Sequence, residues 1–114
     1  ARIASVLRRA PAEDVADARS ASLAPLVLDA ELALARRLSE FPGTVAGVVE
    51  HLAPHRLARY ARDVAGDFHQ FYTECKILTD ERETRLARLA LCLAAKSVLA
   101  RTLGLVGVAA PDSM

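Results

Sequence analysis

At 114 residues the chain fits one domain, long enough for a real core but too short for two. It is 53% hydrophobic and only 4% aromatic, with five glycines and five prolines falling between periodic segments rich in the helix formers Ala, Leu, Arg and Glu, the profile of an all-α bundle. A formal net charge of +1 excludes a general polyanion binder, so any nucleic-acid contact has to come from a local basic patch.

Five helices are expected in chain order. The first covers Arg2 to Arg9, with Ile3, Val6 and Leu7 on one side. The polar stretch from Pro11 to Ser22 reads as a loop with some helical character. A second helix starts at Asp29, a good N-cap, and runs to Glu40, where Phe41-Pro42-Gly43 ends it. A third, short helix spans Thr44 to Leu52 and stops before Pro54. The fourth, His55 to about Cys75, carries the clearest pattern. Leu57, Ala61, Val64, Phe68, Phe71 and Cys75 follow at spacings of 4, 3, 4, 3 and 4, which draws one apolar stripe. Gly66 within it costs about 1 kcal/mol relative to Ala, which the close approach of a neighbouring helix would explain. The fifth helix runs from Asp80 to Leu103, with Asp80, Glu81 and Glu83 at its dipole-positive start and a polar stripe of Arg85, Arg88, Cys92 and Lys96.

No membrane contact is expected. The most apolar stretch, Leu86 to Ala110, is interrupted by Arg88, Lys96 and Arg101, short of the roughly 20 apolar residues of a spanning helix. An arginine pair stands in the first ten residues, where a secretory signal needs an apolar run. Cys75 and Cys92 are far apart within helical patterns, which argues against a disulfide framework and for a reducing, cytoplasmic setting. The opening Ala, already in a helical pattern, suggests a piece of a larger protein.

Catalytic signals are lacking. His51 and His55 have the spacing of a helical metal pair, but Pro54 breaks the helix between them and no third ligand completes a set. His69, beside the apolar stripe, reads as a half-buried structural residue. A Cys75–His69 nucleophilic pair fails because six residues are not two helical turns. No phosphate loop, Ser-centred elbow or isolated carboxylate pair is present. Positive charge is more informative: from Thr84 onward stand Arg85, Arg88, Lys96 and Arg101 against the single acid Asp112. They form either a solvated helix face or a docking face for nucleic-acid phosphates, with Tyr72 placed to stack on an unpaired base.

The segment Phe68-His69-Gln70-Phe71-Tyr72-Thr73-Glu74-Cys75 and the upstream Leu52-Ala53-Pro54-His55-Arg56-Leu57-Ala58-Arg59-Tyr60 resemble the C-terminal, DALR-type anticodon-binding domain of arginyl-tRNA synthetases. Ala87-Arg88-Leu89-Ala90-Leu91, Val98-Leu99, Leu103 and the ending Gly107 to Met114 continue the resemblance, and Ala1 to Arg9 resembles the helix entering from the catalytic core. It covers nearly the whole chain. It implies a five-helix bundle of the class I synthetase type that grips the anticodon stem–loop of arginine tRNA and reads its central cytosine. No cofactor is implied for this domain, because ATP and arginine would bind a separate catalytic domain of the parent chain. By the same resemblance Tyr72 and Met114 would contact the anticodon loop, while Arg88 would be structural or phosphate-directed. The family usually differs at His69, Thr73, Arg101, Thr102, Asp112 and Ser113, and its naming Asp-Ala-Leu-Arg tetrad does not occur literally. A non-catalytic paralogue, using the same fold as an RNA- or protein-interaction module, therefore stays open beside the synthetase reading.

Overall fold

The computed structural model describes residues 2–51 and 53–109, and among them helix is the only regular structure. Six helices follow one another: α1 (Arg2–Arg9), α2 (Ala12–Ala18), α3 (Asp29–Ser39), α4 (Phe41–His51), α5 (His55–Glu74) and α6 (Arg82–Ala109). The all-α class is as expected, and the count is one higher. The extra helix is α2, in the stretch expected to be mainly loop. Too few apolar side chains lie there to draw a stripe, and Asp14 and Asp17 reach across to Arg85 and Arg82 of α6 instead. The sheltered Asp14–Arg85 pair, with buried Ala18 and with Val15 packed against the core, fastens a segment whose periodicity is silent.

Two boundaries differ for local reasons. Asp29 is the first residue of α3 and not its cap. The orphan N–H groups of Val27 and Leu28 donate to Glu31 Oε1 at 3.1 and 3.0 Å, so a glutamate one turn in caps the helix end. Phe41-Pro42-Gly43 does not interrupt the chain; it opens α4, directly after the cap residue Glu40. Proline is tolerated in a first turn because its N–H would lack a partner there anyway. Thr44 closes that turn, donating both its N–H and its hydroxyl to the Glu40 carbonyl.

The expected stripe of α5 is the centre of the core. Leu57, Ala61, Val64, Phe68, Phe71 and Cys75 are all buried, and Phe68 meets Phe71 edge-on with ring centroids 5.8 Å apart. From α6 come Leu86, Ala87, Leu89, Leu91, Cys92 and Ala95, and from α3 Ala30 and Leu34. Cys92 was expected on the polar stripe, yet it is fully buried, and desolvation pushes its thiol up to about 12. Both cysteines are free. Gly66 is exposed with open space around its Cβ position, so no neighbouring helix explains it. Nothing in the structure accounts for a glycine there.

The longest helix, α6, also corrects the membrane estimate. It continues through Gly104 and Gly107 instead of ending at Leu103. Arg82–Gly107 has a mean hydropathy of 1.7 over its most apolar 18 residues, so by length and composition alone it could cross a membrane. In the fold, its buried residues form one wall of the core. Arg82, Arg85 and Arg88 tie its first turns to α2 and α3.

Candidate nucleic-acid interface

The last turn of α5, the segment 75–78 and the end of α1 enclose a cleft of about 270 Å³. Its walls are Val6 and Arg9 from α1, Tyr72 from α5, and Cys75, Lys76, Ile77 and Leu78 from the connection to α6. Tyr72 is half-buried and leans on Phe68, ring centroids 6.3 Å apart and planes tilted by 37°. That contact fixes one side of the phenol ring on a core residue. Val6, Cys75 and Ile77 are buried, whereas Arg9 and Lys76 are exposed. An aromatic ring and two exposed cations lining one cleft with an apolar floor suit a planar heterocycle attached to an anionic backbone. The Cys75 thiol is held above its ordinary range first by burial and then by Glu31, so it serves as a wall of the cleft and reacts more slowly than an exposed thiol.

Behind the cleft runs a chain of polar contacts. Arg88 Nε donates to Glu31 Oε2 at 2.7 Å, and Arg88 Nη1 donates to the Lys76 carbonyl at 2.7 Å. Both side chains are sheltered, 12% exposed for Arg88 and 1% for Glu31. Arg85 behaves similarly. Its Nε donates to Asp14 Oδ2 at 2.9 Å and its Nη1 to the carbonyls of Thr79 and Asp80. These two arginines therefore neither form a solvated face nor present open guanidinium groups. Of the two roles implied for Arg88, the structural one matches its geometry. A helical pattern cannot show that a cation turns inward when its partner acids come from α2 and α3, tens of residues away.

The remaining expected residues are scattered. Lys96 is exposed further along α6, and Met114, with Asp112 and Ser113, lies outside the described residues. His69 is exposed and not half-buried, and Thr73 is exposed as well. Arg101 is exposed, while the neighbouring Thr102 is fully buried and donates its hydroxyl to the Val98 carbonyl. His51 and His55 are both exposed, and among the described residues no three His, Cys, Asp or Glu side chains are gathered for a metal. The reading of the residues missed Arg9, Lys76 and Glu31. Glu31 had a signal, a glutamate three residues after a helix start, but the Ser or Thr that usually completes a capping box is Leu28 here.

A profile of the DALR anticodon binding domain family matches residues 1–114. The chain is similar to the arginine–tRNA ligase of Moorella thermoacetica, at 47% identity over all of this chain and 21% of the relative. It is similar also to that of Azoarcus sp., at 44% identity over all of this chain and 19% of the relative, and to that of Staphylococcus epidermidis, at 39% over all of this chain and 21% of the relative. It thus spans about a fifth of the length of the curated relatives it matches. No solved structure matches significantly. With an all-helical fold, a cleft built around Tyr72 and a family match from first residue to last, the chain belongs to the DALR anticodon binding domain family.

Proposed function

We propose that this chain is the part of an arginine–tRNA ligase that grips the anticodon stem–loop of arginine tRNA, with the Tyr72 cleft receiving an unpaired loop base. The observation that carries the reading is the cleft itself, which Tyr72, backed by Phe68, lines together with the exposed cations Arg9 and Lys76. The base would stack on the phenol ring while its flanking phosphates meet the two cations. Lys96, and Met114 at the chain's end, extend the contact surface in this reading. Arg85 and Arg88 support it from within and do not touch phosphate. ATP and arginine are left to a catalytic domain of the parent chain, and the reaction to the cytoplasm.

A labelled anticodon stem–loop titrated into the chain should bind weakly and with clear salt dependence, because cations displace counterions from the RNA. Tyr72→Ala should weaken it by about 1–3 kcal/mol, the usual range for a stacking aromatic. A stem–loop whose central cytosine is replaced should bind less well to the wild-type chain, and the difference should shrink in Tyr72→Ala. Equal binding of both loops by both proteins would remove anticodon reading and favour an interaction module with another partner.

A further inference from the structure

The segment 75–78 forms one wall of the cleft, yet it is a connection and not a helix. A strut from the core holds it. Glu31 Oε1 takes the N–H groups of Val27 and Leu28, its Oε2 takes Arg88 Nε, and Arg88 Nη1 takes the Lys76 carbonyl. A guanidinium can serve two acceptors at once because its donors sit in a rigid planar fork, which an ammonium lacks. Glu31 is fully buried, so it cannot meet RNA. We propose that Glu31 and Arg88 are a positioning pair, holding the Cys75–Leu78 segment through the Lys76 carbonyl at the distance from Tyr72 that admits a base. The proposal rests on the RNA reading of the cleft.

Charge and position make opposite forecasts for Glu31→Gln. The substitution adds one positive unit to the chain, so electrostatics alone would tighten RNA binding. Loss of the strut should instead weaken an anticodon stem–loop by about tenfold, within the range of a lost base stack. Unchanged or tighter binding overturns the proposal. Arg88→Lys keeps the charge but lacks the planar fork that holds both acceptors at a fixed spacing, and about the same loss is expected; wild-type affinity would overturn it. If a single variant fails to fold, the pair Glu31→Gln with Arg88→Met removes both charges together, keeps the acceptor for Val27 and Leu28, and fills the volume. It should bind about tenfold more weakly with the salt slope of the wild type. A slope lower by about one would make Arg88 a phosphate ligand and overturn the proposal.

A local readout separates positioning from general loosening. Cys75 lines the cleft, whereas Cys92 lies deep in the core. With the strut gone, a thiol reagent should modify Cys75 faster while Cys92 keeps its wild-type rate. Equal acceleration of both would reduce the pair to a merely structural role. If the wild-type chain binds no stem–loop at all, the RNA reading falls and the proposal with it. Normal Tyr72-dependent binding that the strut variants leave untouched overturns the positioning role alone.

Discussion

Removing Arg88 should unfold this domain far more readily than removing any surface cation. In Arg88→Met, Glu31 stays in the core with a side chain only 1% exposed in the native fold and loses its charge partner. Two backbone N–H donors remain to it, from Val27 and Leu28. Stripping one partner from a buried, hydrogen-bonded ion pair costs about 3–5 kcal/mol, because the other charge is left desolvated and uncompensated. Unfolding entropy near 2.1 cal/mol/K per residue gives roughly 0.24 kcal/mol/K for a chain of this size, so Tm should fall by about 12–20 °C. Adding Glu31→Gln should restore most of that loss, since the desolvated charge then disappears. Thermal denaturation followed by circular dichroism at 222 nm, on the two single variants and the double, closes the cycle. A shift below about 3 °C for Arg88→Met, or simple additivity of the two single losses, would mean the pair is as weak as an exposed one and refute the reasoning.

Phe71→Ala, at a fully buried ring that meets Phe68 edge-on, should destabilise by about 3–5 kcal/mol, while Arg62→Ala on the exposed face of α5 should stay within about 0.5 kcal/mol. Chemical denaturation checks both, and equal effects would mean the faces of α5 are misassigned. Gly66→Ala should stabilise by roughly 0.4–1 kcal/mol, because the site is helical, exposed and open around the Cβ position; a loss of stability would reveal a contact the fold does not show. The Cys92 thiol is raised from 9.0 to about 12 by burial. The fold therefore favours its neutral form, and that contribution is complete below pH 9 and lost as pH rises toward 12. Tm measured from pH 8 to 11 should fall less steeply in Cys92→Ala than in wild type, Cys75 and Tyr60, both also raised by burial, supplying the residual slope; identical slopes would clear Cys92.

The helical class, the α1 limits at Arg2 and Arg9 and the six-residue stripe of α5 were legible in the chain itself, because a 3.6-residue repeat of apolar side chains is a local property. The family was legible too, carried by motifs around Tyr72 and Arg88. Tertiary structure alone decided which charges are partners and which face water. Arg85, Arg88 and Cys92 share a helix face with Lys96 in the sequence, yet the first three turn inward and only Lys96 is solvated. The compensating acids, Asp14 and Glu31, lie 71 and 57 residues away along the chain. The cost of burying a cation depends on whether such an acid arrives in space, which no window along the sequence contains. For the same reason α2 looked like a loop, and Arg9 and Lys76, joined to Tyr72 only across the cleft, could not be assigned to one site before the helices packed together.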